Sequence, residues 1–131
     1  MRKSVLAAIV LFFALASIIL ASNTFTKMEK ISIQHWSQDI SGYEEAIYIN
    51  DKSTLKKIRK ILNDSIHENH QSEMAQSANL KLTLFYEDNK QEKIYLWEES
   101  GQYTIFTSQD REGTFSLKDN DSKGELKDLI K

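Results

Sequence analysis

Residues 28–36 alternate, with Ile31, Ile33 and His35 on one side and Ser32, Gln34 and Trp36 on the other. A period of two predicts a strand. A second short strand is expected at Ala46-Ile47-Tyr48-Ile49, separated from the first by the polar, Gly42-containing stretch 37–45. After Asn50-Asp51 the period changes. Leu55, Ile58, Ile61, Leu62 and Ile66 fall on one helical face, and Lys56, Lys57, Arg59, Lys60 and Asn63 fall largely elsewhere, with Asp51 or Ser53 as the N-cap. Residues 67–77 are polar and lack apolar periodicity, which predicts a long, mobile surface loop.

Alternation returns at Leu80, Leu82 and Leu84. The turn Glu87-Asp88-Asn89-Lys90 leads into Ile94-Tyr95-Leu96-Trp97, the pattern of a hairpin. Ser100-Gly101 suits a two-residue turn. Regular pairing across it places Leu96 opposite Ile105 and Tyr95 opposite Phe106. A further turn at residues 109–113 then sets Phe115 opposite Thr107 and Leu117 opposite Ile105. These registers predict a core face of Leu80, Leu82, Leu84, Ile94, Leu96, Ile105, Phe115 and Leu117. They also place Phe85, Tyr95, Trp97 and Phe106 together on the opposite face, a candidate ligand-binding surface because Tyr and Trp offer large rigid contact area. The competing expectation is that the N-terminal strand or the second helix covers these rings. A short C-terminal helix follows through Glu125, Leu126, Leu129 and Ile130, capped within residues 119–122. The predicted class is α+β: a mainly antiparallel sheet of about five to six strands, with one or both helices on one face.

Ile47-Tyr48-Ile49-Asn50-Asp51 before a Leu/Ile-rich helix, the segments Leu82-Thr-Leu-Phe-Tyr86 and Ile94-Tyr-Leu-Trp97, and Gly113-Thr-Phe-Ser-Leu117 before Glu125-Leu-Lys-Asp-Leu-Ile130 resemble the small extracytoplasmic YhfM-like domain of Bacillus-type bacteria. The resemblance spans residues 28–131 and rests on hydrophobic patterning. It implies an exported domain and supplies no catalytic residues. Members are often lipoproteins, and this chain departs from that pattern because it has no cysteine.

The N-terminus adds location. Arg2 and Lys3 precede a run of 17 residues, 5–21, apolar but for Ser17, so residues 1–22 are expected to be an export signal or a membrane anchor. Ala14-Leu15-Ala16 offers a cleavage site, but cutting there leaves Ile18-Ile19-Leu20 at the new end. The positive charges predict that residues 23–131, a single domain, lie outside the cytoplasm. Without Arg2 and Lys3 the chain carries 15 basic and 19 acidic side chains, which argues against a nucleic-acid partner.

Candidate chemistry is sparse, and no catalytic set, cofactor or metal site is expected. His67 and His70 are three apart, not at the four-residue spacing of a helical zinc pair, and Glu73 lies near them. Asp119, Asp121 and Lys123-Gly124 imitate the start of a calcium loop, but Ile130 occupies the position of its bidentate Glu, so a helix cap is expected. Lys52, Lys56, Lys57, Arg59 and Lys60 form a basic helix face that suits anionic headgroups or wall polymers, although any amphipathic helix has a solvated polar side. Asp110, Arg111 and Glu112 are expected on an exposed turn. The leading expectation is a membrane-anchored or secreted binding domain of the bacterial cell envelope, engaging a protein, peptide or glycan through its sheet face or the 68–77 loop. The alternatives are an accessory subunit tethered beside a membrane complex and, third, a cell-wall hydrolase.

Overall fold

The computed structural model describes residues 24–69 and 76–130. The apolar run at 5–21, and residues 70–75 of the expected loop, lie outside them. The strands are β1 (Met28–Ser37), β2 (Gly42–Tyr43), β3 (Ile47–Ile49), β4 (Ile66–Glu68), β5 (Leu80–Tyr86), β6 (Gln91–Glu99), β7 (Gln102–Ser108) and β8 (Thr114–Ser116). The helices are α1 (Lys52–Asn63) and α2 (Asn120–Ile130). The class is α+β as expected, but the sheet has eight strands rather than five or six. Its order is β2-β1-β5-β6-β7-β8-β4, with β3 also on β1, and every pairing is antiparallel.

Local chemistry explains the first helix. Asp51 Oδ2 accepts from Thr54 N at 3.0 Å and from Thr54 Oγ1 at 2.7 Å, which satisfies a donor that the first turn leaves free. Leu55, Ile58, Ile61 and Leu62 are buried, as their spacing requires. Ile66 departs from expectation. The helix ends at Asn63, and Ile66 begins β4, 54% exposed and paired with Ser116. The strand β4 occupies the open edge of β8 and satisfies its backbone, which overrides the helical periodicity. Part of the expected loop is therefore strand.

Both helices lie on one side of the sheet. Leu55, Ile58 and Leu62 of α1 and Leu126 and Ile130 of α2 join one core with Ile31 and Ile33 of β1, Leu80, Leu82 and Leu84 of β5, and Ile94 and Leu96 of β6. Asp119 Oδ1 accepts from Ser122 N at 2.8 Å, so this residue caps α2 as predicted.

The β6–β7 register differs from the regular hairpin. Glu99 faces Gln102 and Glu98 faces Tyr103, but a bulge at Thr104 shifts the ladder, so Trp97 faces Ile105 and Leu96 faces Phe106. The next pairing follows the shift, setting Phe106 opposite Phe115 and Ile105 opposite Ser116. A one-residue slip exchanges the faces. Phe106 is fully buried and Ile105 is only half-buried, the reverse of the expected core face. The reason is aromatic packing. The rings of Phe106 and Phe115 stack at 4.8 Å and 6°, and Phe25 meets both edge-on at 6.0 and 6.2 Å. A buried trio of this kind is worth more than an Ile in the same slot.

Candidate functional site

The sheet's second face carries no helix among the described residues. Phe85, Tyr95 and Trp97 point to it as expected, all half-buried, whereas Phe106 belongs to the core. The three do not form one cluster. Phe85 sits at one end, where Lys30 Nζ lies 4.7 Å from its ring centroid and 5.2 Å from that of Tyr48, a cation shared between two faces. Tyr95 and Trp97 belong to the other end, with Trp36 and Tyr43.

This second group is fixed by its own contacts. Trp36 meets Tyr43 edge-on at 5.3 Å, and Tyr43 lies 6.3 Å from Tyr95. The Tyr43 hydroxyl donates to Ala78 O at 3.1 Å, and the Trp97 indole donates to Gln76 O at 3.0 Å. Burial, and then the neighbouring Tyr95, raises the Tyr43 phenol above its ordinary value, so Tyr43 remains a neutral donor. Beside the rings lies an open cleft of about 480 Å³ lined by Trp36, Gln38, Ser41, Gln76, Ser77 and Asn79. Among the described residues its walls are an indole, amides and hydroxyls. The sequence points to Trp36 only as part of an N-terminal strand covering these rings, whereas β1 lies within the sheet and sets Trp36 beside Tyr43; Tyr43 itself is not legible, because the two-residue β2 shows no periodicity.

A second polar constellation lies under the turn after β7. Glu92 is 4% exposed and faces the core side of β6 opposite Leu84. Its Oε2 accepts from Arg111 Nε at 2.6 Å and Ser108 Oγ at 2.5 Å, and its Oε1 accepts from the Tyr86 hydroxyl at 2.5 Å and Arg111 Nη2 at 3.1 Å. The Arg111 guanidinium also stacks 3.9 Å over the Phe25 ring. Arg111 is thus not the exposed turn residue expected. Burial alone would raise the Glu92 carboxyl, but the Arg111 guanidinium and the two hydroxyls outweigh it and hold the group below its ordinary value. Both oxygens are occupied, so the network reads as a structural clasp between β5, β6 and the turn rather than a proton donor for hydrolysis.

His67 of the expected metal pair lies in β4, its Nε2 2.8 Å from Glu112 O and its ring 4.6 Å from that of Phe115. His70 and Glu73 lie outside the described residues. No described group of three or more His, Asp or Glu side chains is placed to hold a metal.

The basic residues of α1 stand on its solvent side. Lys27, Lys52, Lys56 and Arg59 rim a depression of about 160 Å³ floored by Met28 and Leu55; Lys56 and Arg59, with Lys57 and Lys60, rim a second, larger one. Among the described residues no helix is long and apolar enough to cross a membrane.

Comparison with curated proteins and with solved structures gives no match. Residues 25–131 match the family described as YhfM protein. That span starts at the buried Phe25, covers the whole sheet and both helices, and ends one residue past α2; this chain belongs to the YhfM protein family.

Proposed function

We propose that this chain is a binding domain of the cell envelope, extracytoplasmic and either membrane-anchored or secreted, and that its ligand is a neutral oligosaccharide held at the Trp36 end of the sheet. The observation that carries this reading is the placement of both helices on one face, which leaves Trp36, Tyr43, Tyr95 and Trp97 half-exposed on the other. Ring faces are electron-rich and apolar, a match for the C–H faces of sugar rings. The cleft beside them supplies amides and hydroxyls that can exchange hydrogen bonds with sugar hydroxyls and acetamido groups. Lys81, opposite Tyr95 and with its Nζ 5.8 Å from the Tyr43 ring centroid, borders the platform but does not line the cleft. The apolar run at 5–21 supports the extracytoplasmic location.

Titration with β-1,4-linked N-acetylglucosamine oligomers, followed by tryptophan emission, tests the assignment. A saturable change is expected, with affinity about tenfold weaker or worse after Trp36→Ala, the scale of losing an aromatic anchor. Failure of any neutral oligosaccharide to alter the emission would overturn the ligand class.

A further inference from the structure

We infer that the basic face of α1 seats this domain on an anionic lipid surface and thereby turns the aromatic sheet face away from the bilayer. The inference rests on the anchored form of the reading above. It is carried by where the chain joins the fold. Phe25 is buried in the core, and its backbone is held from both sides by one side chain of α1: Asn63 Oδ1 accepts from Phe25 N at 2.6 Å, and Asn63 Nδ2 donates to Phe25 O at 3.0 Å. Arg111 Nη2 donates to Thr24 O at 3.2 Å. Residues 24 and 25 are therefore fastened to the domain. The apolar run of the sequence ends at Ala21, three residues before Thr24, and three residues of chain span at most about 10 Å. An anchor at 5–21 leaves the Asn63 end of α1 close to the headgroups.

That end and the rest of the helix face are cationic. Lys52, Lys56, Lys57 and Lys60 are exposed, Arg59 is half-exposed, and no ion pair joins any of them to an acid among the described residues. Lys27, just before β1, pairs with Glu87 at 3.4 Å, with both side chains largely solvated. Asp51 and Asp64 cap the two ends of this helix. Juxtamembrane basic clusters are drawn to anionic lipid within a screening length. On α2, which packs beside α1 and against β7, Asp121, Glu125 and Asp128 outnumber Lys123 and Lys127, so α1 rather than α2 supplies the cationic surface. Because the helices and the aromatic residues occupy opposite faces of one sheet, seating α1 on the bilayer exposes Trp36, Tyr95 and Trp97 to the far side.

The chain has no cysteine, so single labels are readily introduced. The full chain carrying Ser53→Cys is labelled with an environment-sensitive fluorophore and mixed with vesicles of phosphatidylcholine alone or with added phosphatidylglycerol; Gln38→Cys provides a label on the exposed turn after β1, at the opposite end of that strand from Lys27. A blue shift of the Ser53 label is expected only with the anionic vesicles. It should vanish at 1 M salt, where screening falls to about 3 Å, and in the Lys56→Gln, Lys57→Gln, Lys60→Gln variant, while the Gln38 label stays unchanged. Flotation with neutral vesicles reports the anchor separately. Flotation without a lipid-dependent shift at Ser53 overturns the seating and leaves the anchor. A shift with anionic lipid but no flotation with neutral vesicles supports the seating and overturns the anchor. Neither signal overturns both.

Discussion

Arg111 reaches across 19 positions of sequence to set its Nε 2.6 Å from Glu92 Oε2, closing a nearly dry ion pair over the ring of Phe25. The side chains are 11% and 5% exposed, so removing one partner strands a charge in a poorly solvated site. Arg111→Met is expected to cost about 3–5 kcal/mol by urea denaturation, and Arg111→Met combined with Glu92→Leu should recover part of that loss. Equal stability of the single variant and the parent would remove the clasp from the account.

The same network sets the pH limits of stability. Glu92 is held below its unfolded value of about 4.3, so its contribution is full above that pH and is lost as the pH falls through the folded value. Tyr86 is displaced the other way, upward, by burial and by the Glu92 carboxylate. Its contribution is full below about pH 10 and is lost as the pH rises further. Thermal unfolding across pH should show a plateau falling at both ends, with the acid limb flattened in Glu92→Gln.

The bulge at Thr104 makes two adjacent apolar residues unequal. Phe106→Ala should cost about 3–5 kcal/mol, the range for emptying a buried aromatic site, and Ile105→Ala markedly less, since Ile105 faces the open side of the sheet. The regular hairpin register requires the opposite ranking, so a pair of denaturation curves separates them.

Gly113 and Gly101 both have positive φ, at 89° and 82°. A Cβ at Gly113 would overlap the Glu68 carbonyl oxygen and crowd His67 Nε2, whereas one at Gly101 finds its nearest neighbour, Lys127 Nζ, at 3.9 Å. Gly101→Ala should therefore cost only the left-handed backbone penalty, about 1–2 kcal/mol, and Gly113→Ala clearly more, with loss of amide protection at β4. Similar costs at the two positions would contradict the close approach of β4 to this turn.

Trp97 provides a direct reading of the sheet face. In a Trp36→Phe variant, acrylamide should quench Trp97 to an extent between that of a free indole and that of a buried one, because one edge is tied to Gln76 O and the remainder is half-exposed. Negligible quenching would mean that the face is covered, and the oligosaccharide site would lose its platform.

Much of the architecture follows from local periodicity. Asp51 and the spacing of Leu55, Ile58 and Leu62 define α1, and the alternation of Leu80, Leu82 and Leu84 against Ile94 and Leu96 defines the central hairpin and its inward face. Those signals act over a few residues, where backbone geometry fixes which side chains share a side. Phe85, Tyr95 and Trp97 were assigned to the outer face on the same ground. Tertiary contacts decided the rest. Phe106 entered the core because Phe25 and Phe115, from distant parts of the chain, made an aromatic slot that repays a bulge. Ile66 left the helical stripe because β8 needed an edge partner. Arg111 left its turn because Glu92, buried on a neighbouring strand, needed a counter-charge. Each of these outcomes depends on desolvation or packing between segments far apart in sequence, and such energies exist only once the chain has brought the segments together.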